Sequence, residues 1–242
     1  MRYGLISDIH GNLEALEAVL ETLAKEGVDA YLCMGDIVGY GANPKECIKK
    51  VRSIEPKVLI AGNHEWGTLG LLELDYFSEL ARQAVIWTKG ILNADELEYL
   101  GSFKLLAADK KLTLVHGSLE EPEEFNYVFD SNDAGGTFRL LKTQLCFVGH
   151  SHVPGIFYFD GKVPGAINDV KAKIGPGKKY VINIGSIGQP RDGDPRASFA
   201  IYDEDKKTVE IKRVAYDVEK AQTKILAAGL PKRLASRLAE GR

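Results

Sequence analysis

The stretch Leu5-Ile6-Ser7-Asp8-Ile9-His10-Gly11-Asn12 decides how the rest of the chain is read. An apolar run, Tyr3 to Ile6, leads into a carboxylate and an imidazole two residues apart, then a glycine and an asparagine suited to cap a helix. In extended backbone, residues i and i+2 project to the same side. Asp8 and His10 are therefore expected to point together at the end of a buried strand over residues 3–8. Alone, an Asp-x-His pair has two readings: a carboxylate orienting a surface histidine, or part of a metal site.

Outward from this stretch, Asn12 can cap a helix that sets Leu13, Leu16, Leu20 and Leu23 on one face and stops at Gly27. Ala30 to Met34 reads as a second strand ending in Gly35-Asp36. Asn43-Pro44-Lys45-Glu46 is a helix start, with a cap, proline at the first helical position and Glu three residues after the cap. A third strand, Lys57 to Ala61, ends in Gly62-Asn63-His64-Glu65. Three strand–loop–helix units in a row imply right-handed crossovers and a mostly parallel sheet.

The middle reads as helical up to Gly90, and Asn93-Ala94-Asp95-Glu96 repeats the capping pattern. Phe103 to Ala107 and Leu112 to Val115 flank a polar tip and read as a hairpin, ending in His116-Gly117-Ser118. An acidic loop over 119–133 is followed by a short helix with Phe138 and Leu141. A strand from Leu145 to Val148 then ends in Gly149-His150-Ser151-His152. Hairpins are expected at Asp160-Gly161 and at Asp203-Glu204-Asp205, with a strand from Tyr180 to Ile184 between them. The basic, helical C-terminal tail (Lys232, Arg233, Arg237, Arg242) reads as a solvated face. No linker, composition shift or repeat divides the chain, so residues 1–242 are expected to form one α/β domain with parallel strands first and antiparallel hairpins later.

Bulk properties narrow the function classes. With 45% hydrophobic and 27% charged residues, the 242-residue chain is globular rather than disordered. A net charge of −3 gives no electrostatic reason to expect nucleic acid as a partner. Cys33, Cys47 and Cys146 form no C-x-x-C pair and suit a reducing compartment. There is no basic-flanked apolar leader, and no apolar run approaches the ~20 residues a membrane helix needs. A cytoplasmic protein without membrane attachment is the expectation.

The polar strand ends form one set: Asp8, His10, Asp36, Asn63, His64, His116, His150 and His152. All five histidines of the chain are in it. Each member follows the carboxyl end of a predicted strand, where open α/β sheets place ligands. Mixed carboxylate, imidazole and amide donors suit Mn, Fe, Zn, Co or Ni better than Mg or Ca. Without a thiolate the set does not read as a structural zinc site. A pair of such ions suits phosphate-ester hydrolysis. Neither a G-x-G-x-x-G after the first strand nor a P-loop is present, so dinucleotide and nucleoside-triphosphate folds find no support.

Asp8-Ile9-His10, Gly35-Asp36, Gly62-Asn63-His64-Glu65, His116 and Gly149-His150-Ser151-His152 resemble, in order, the five signatures of the calcineurin-like metallophosphoesterases. Gly185-Ser186-Ile187-Gly188-Gln189-Pro190-Arg191-Asp192-Gly193 is similar to the compact bacterial and archaeal branch of diadenosine-tetraphosphatase-like or YfcE-like phosphodiesterases. The resemblance implies a four-layer α/β/β/α sandwich of two mixed sheets flanked by helices. It implies two divalent transition-metal ions, the first on Asp8, His10 and His152, the second on Asn63, His116 and His150, with Asp36 shared. It further implies attack by a metal-bridging hydroxide, with His64 beside the scissile phosphate as the catalytic residue. The implied partner is a small phosphorylated substrate or nucleotide.

The chain departs from the protein-phosphatase pattern where that branch continues Gly-Asp-x-x-Asp-Arg-Gly. Here Gly39 and Tyr40 replace the carboxylate that orients the catalytic histidine and the phosphate-gripping arginine. A phosphoprotein phosphatase is disfavoured on that ground, and a dinucleoside polyphosphate hydrolase is an alternative. A non-catalytic scaffold is the rival from another class, against which stands the complete ligand set. Arg191 is the candidate to supply the missing cation, the alternative being a loop arginine paired with Asp192 or Asp194. Tyr40, the second candidate substrate-binding residue, either packs on the rim or stacks on a base. Glu120 to Glu124 either overhang the site and repel polyanions or form a solvated loop. Phe125, Tyr127 and Phe129 anchor that loop to the core or offer a nucleobase platform.

Overall fold

The computed structural model describes all of residues 1–242. Strand β1 (Arg2–Ile6) enters helix α1 (Leu13–Lys25), capped by Asn12, whose Oδ1 accepts from the Ala15 N–H at 3.1 Å. Strand β2 (Ala30–Cys33), helix α2 (Pro44–Ser53) and strand β3 (Val58–Leu59) follow. The expected five-residue third strand is only two residues long, extended by one bridge between Ile60 and Lys104. It is a sheet edge, where a short strand limits unwanted pairing. Asn43 precedes α2 as predicted but does not cap it. Its side-chain oxygen instead accepts from Lys224 at 3.0 Å.

Helices α3 (Asn63–Leu69), α4 (Glu79–Ile91) and α5 (Ala94–Gly101) make up the middle, with the Asn93–Glu96 capping box formed in both directions. The hairpin β4 (Leu106–Ala108) and β5 (Leu112–Val115) comes next, then α6 (Gly135–Leu140) and β6 (Leu145–Val148). Strands β7 (Gly155–Phe159), β8 (Pro164–Ile167), β9 (Lys171–Lys173), β10 (Lys179–Asn183), β11 (Ala197–Asp203) and β12 (Thr208–Val214) complete the sheets. Two helices rather than one close the chain, α7 (Val218–Ala227) and α8 (Lys232–Glu240). Strand β9 has only one buried residue, Ala172, between two lysines, and its short alternation escaped the sequence reading.

The strands form two six-stranded mixed sheets, ordered β3-β2-β1-β11-β12-β9 and β4-β5-β6-β10-β7-β8. In the first, β1, β2 and β3 are parallel, and β11 runs antiparallel to β1. In the second, β5, β6 and β10 are parallel. The short helix expected before Leu145–Val148 is α6, and it supplies the crossover that keeps β5 and β6 parallel within the expected mixed sheet.

Period-two alternation sorts the side chains into layers. Leu5, Leu32, Phe147 and Ile182 fill the space between the sheets. Their neighbours Ile6 and Cys33 face α1 and α2, while Cys146 and Val181 face α6. The result is the expected α/β/β/α sandwich. A further cluster joins α4, α7 and α8 around Tyr40, so the basic C-terminal segment is packed structure on its apolar side rather than a solvated face throughout. No helix is long and apolar enough to cross a membrane.

Candidate metal centre

Strand β1 ends at Ile6, so Asp8 and His10 lie in the loop beyond it. They converge by a different route from the one extended backbone offers: Asp8 has φ 53° and His10 φ 49°. Alternate left-handed residues turn both side chains inward. His150 and His152 repeat the device with φ 65° and 60°, and Asp36 and Tyr40 also lie in this region. Ten non-glycine residues of the chain have positive φ, and these six belong to the site, so backbone strain is concentrated there.

The side chains meet in one buried cage. Asp8, His10 and His152 offer donor atoms within 4.8 Å of one another, as do Asp36, His116 and His150. His10, Asp36 and His64 form a third such group, which brings His64 closer to donor geometry than its implied role required. His152 Nε2 lies 3.2 Å from Asp8 Oδ1 and 3.0 Å from His10 Nε2. His116 Nε2 lies 3.1 Å from Asp36 Oδ2.

Main-chain carbonyls fix three of the rings. Nδ1 of His10, His116 and His152 faces the carbonyl oxygens of Val38 (3.1 Å), Met34 (2.6 Å) and Gln189 (2.6 Å). Donation from Nδ1 turns each Nε2 toward the carboxylates, the arrangement that second-shell bonds give to metal-binding histidines. Tyr127 stacks on the His150 ring at 4.1 Å and 12°. Asp8 is held by the His150 N–H at 3.1 Å, and Asp36 accepts from the His64 N–H at 2.9 Å.

A metal ion fits this donor set. Asn63 Oδ1 is buried without a hydrogen-bond partner, and Asp36 Oδ2 and His116 Nε2 have only each other, as an ion pair without hydrogen-bond geometry, a costly state unless another species engages them. Burial drives His10, His150 and His152 well below the ordinary histidine range, toward the neutral form a metal binds. Against the same burial, Asp36 and Asp8 push His116 up to about 10. Asp36 itself lies well below the usual carboxylate range, held there against burial by His116, His64 and His10. The two carboxylates thus demand positive charge at the centre of the cage.

Glu65 is a positioning residue that the motif contained but whose role was not legible. Its buried carboxylate accepts N–H bonds from Asp36 (2.7 Å), Ile37 (2.7 Å), Val38 (3.3 Å) and Gly62 (2.8 Å). Burial and Asp36 push it up to about 7, against these donors. It ties the loop after β2 to the loop after β3. Behind Asp8, Ser186 donates to the Asp8 carbonyl at 2.8 Å and accepts from the Gln189 N–H at 2.8 Å. Asn183 donates to the Gly149 carbonyl at 2.7 Å and to Ser151 at 2.8 Å.

No carboxylate orients His64. Its ring is caged by Tyr40 at 4.5 Å, His10 at 4.7 Å and Phe77 at 5.4 Å between centroids. Gly39 completes the cage, since a Cβ there would stand 2.1 Å from His64 Nδ1. The glycine that replaces the expected carboxylate is therefore required by the ring's position. Burial, assisted by Arg191 and His116 against the pull of Asp36, lowers His64 to about 4.

Asn63, His150, Tyr40, Arg191 and Tyr127 line an open cleft of about 380 Å³ beside the cage. Asp192 pairs with Arg213, and Asp194 with Arg196 at 2.6 Å. Arg191 is left to donate to Gln189 at 3.0 Å and Tyr40 at 3.3 Å, which removes the loop ion pair as its explanation. Tyr40 is buried, its ring packed against His10 and His64 at the edge of the cleft. Glu120 turns away to Arg139 at 2.5 Å, while Glu124 lines the cleft. Phe125 anchors the loop against Trp66 and His116, but Tyr127 and Phe129 are half exposed and stack on each other.

Comparison with known proteins agrees with this geometry. Residues 1–207 match the calcineurin-like phosphoesterase superfamily domain. An uncharacterized protein of Methanocaldococcus jannaschii is 41% identical over 242 residues, covering 98% of this chain and 97% of that one. The crystal structure of a metallophosphoesterase from Sphaerobacter thermophilus superposes with a TM-score of 0.86 at 42% identity, over 100% of both chains. The phosphodiesterase YfcE of Escherichia coli is 24% identical over 216 residues, 86% of this chain and 91% of its own. This chain belongs to the calcineurin-like phosphoesterase superfamily.

Proposed function

We propose that the protein is a dinuclear metal-dependent phosphoesterase acting on a small phosphate ester or nucleotide-type substrate. The observation that carries this reading is the convergence of Asp8, Asp36 and four histidines around unpartnered buried donors. Two ligand groups meet here, Asp8-His10-His152 and Asp36-His116-His150, with Asn63 beside the second. Two divalent transition-metal ions bound there would lower the pKa of water and neutralise charge on the phosphoryl oxygens.

The chain's own residues supply the rest. Arg191 offers a guanidinium to a phosphate of the substrate, and Tyr40 holds that guanidinium through its hydroxyl. His64 packs against Tyr40 and Phe77, which line the cleft, and would act on the leaving oxygen. The cleft volume lies near the lower end of ligand clefts, roughly 300–1,000 Å³, which favours a small substrate over a folded phosphoprotein. Exposed Tyr127 and Tyr76 on its lining suit a nucleobase or another flat apolar group. A cytoplasmic location and the absence of a nucleic-acid partner belong to the same proposal.

The test is hydrolysis of bis-p-nitrophenyl phosphate by protein stripped of metal and then reloaded with Mn²⁺, Fe²⁺, Zn²⁺, Co²⁺ or Ni²⁺. Activity that appears only on reloading supports the proposal. Inactivity on phosphomonoesters, diesters and dinucleoside polyphosphates with every ion would favour the scaffold.

A further inference from the structure

Two guanidinium groups line the cleft with no acidic side chain to pair with them. Arg191 comes from the loop behind Asp8, and Arg237 from α8, beyond the residues that match the superfamily domain. Arg191 Nε is buried without a partner. Arg237 donates only from Nε, to the Arg242 main-chain oxygen at 2.6 Å, which leaves both terminal nitrogens unengaged. Neither has a side-chain carboxylate within 4.0 Å. Apart from the C-terminal Arg242, every other arginine of the chain does. The acids nearest in sequence are engaged elsewhere: Asp192 by Arg213, Asp194 by Arg196 and Glu240 by Arg233. Glu124 is the one acidic side chain on the cleft lining, and two guanidiniums outnumber it.

Packing holds this arrangement in place. Leu234, Ala235 and Leu238 of α8 share a buried cluster with Tyr40, whose hydroxyl accepts from Arg191. Partial burial and the Arg191 charge both disfavour the cation on Arg237. Two like charges kept together in this way are a built anion site. A diester phosphoryl has only two non-bridging oxygens, which metal ions held by the cage would take. Two guanidinium forks therefore call for a further anion.

We infer that Arg237 is a specificity-determining residue which, with Arg191, binds a second phosphate on the substrate. This rests on the proposed phosphoesterase function. The substrate class is narrowed to phosphate esters that carry another phosphoryl group within reach of the first.

The test is calorimetric binding of inorganic pyrophosphate and inorganic orthophosphate to the intact, metal-loaded protein, with metal content measured before and after. Pyrophosphate is expected to bind about 10-fold more tightly than orthophosphate, the scale of a charge-assisted hydrogen-bonded pair. R237Q should bring the two anions to within about 3-fold, and R237K, which keeps charge but not the fork, should fall between. R233Q is the control on the same helix, where Arg233 pairs with Glu240 at 2.7 Å, and should keep the full ratio. Equal binding of the two anions by the wild type, or a full ratio in both R237Q and R237K, overturns the inference. Hydrolysis of bis-p-nitrophenyl phosphate by the same preparation separates the cases. Turnover without pyrophosphate preference refutes only the Arg237 assignment, and inactivity on phosphomonoesters, diesters and dinucleoside polyphosphates alike refutes the phosphoesterase function beneath it.

Discussion

The two sheets bring different chemistry to one site. Loops after β1, β2 and β3 of the first sheet supply both carboxylates and the amide, Asp8, Asp36 and Asn63, together with His10 and His64. The second sheet supplies imidazoles alone, His116 after β5 and His150 and His152 after β6. Neither half is complete. Buried carboxylates without a cation carry a heavy desolvation cost, and neutral imidazoles have no charge with which to hold a dication. A site of this kind exists only at the seam, so the packing of Leu5, Phe147 and Ile182 between the sheets is a condition of the chemistry.

The largest way to break this comparison is Asp36→Asn, because Asp36 faces both halves. It is expected to lower bound metal from two ions to one or none and to cut turnover by roughly 10³-fold or more, the scale of losing a principal electrostatic contact. Metal analysis beside the rate measurement checks this, and full retention of both ions would refute the bridging assignment. His64→Ala is next. It should keep both ions while losing about 10²–10⁴-fold in turnover, as for removal of a general acid–base group. Loss of an ion instead would make His64 a ligand, a role its closeness to His10 and Asp36 leaves physically available.

Glu65→Gln tests the first half through its scaffold. The amide would set an NH₂ against main-chain N–H donors of Asp36 and Gly62. Metal affinity is expected to fall about 10–100-fold, with loss of stability of about 1–3 kcal/mol in denaturant unfolding. If Glu65→Gln bound metal as the wild type does, the loops after β2 and β3 would be held by something other than this carboxylate.

The smallest effect is predicted away from the seam, at Glu14, which accepts from Lys224 at 2.6 Å and joins α1 to α7. Burial would raise its carboxyl, but Lys224 and Lys220 outweigh burial and its pKa is lowered from 4.5. A folded-state pKa below the unfolded value contributes stability that is full above the unfolded pKa and lost as pH falls through the folded one. Glu14→Gln should therefore cost about 1 kcal/mol at pH 7 and progressively less below pH 4.5, with unchanged turnover. A cost that grew in acid would contradict the ion pair.

Much of the site was legible because its side chains have little other use at strand ends. A carboxylate or imidazole directly after an apolar run is poorly placed for either core or cap, and five motifs in order leave few other arrangements. What stayed hidden was whatever depends on distance in space. Glu65 stood in the sequence only as the last residue of a motif, whereas in the fold four N–H groups from two loops converge on its carboxylate. Gly39 read as a missing carboxylate, whereas it is the space His64 occupies. Arg237 read as surface charge because the basic pattern of α8 does not reveal which turn faces Tyr40.

The sequence by itself determined the family pattern, the strand ends and the types of donor atom at Asp8, His10, Asp36, Asn63, His116, His150 and His152. Hydrophobic periodicity and motif order are local properties, and a chain carries them without knowing its own fold. Tertiary structure alone decided how those atoms meet. Asp8 and His10 converge through left-handed backbone that no extended strand provides, and such strained conformers persist only where surrounding contacts over-determine them. Those contacts, from Ser186, Gly188 and His150 onto Asp8, come from more than a hundred residues away, across the seam between two sheets.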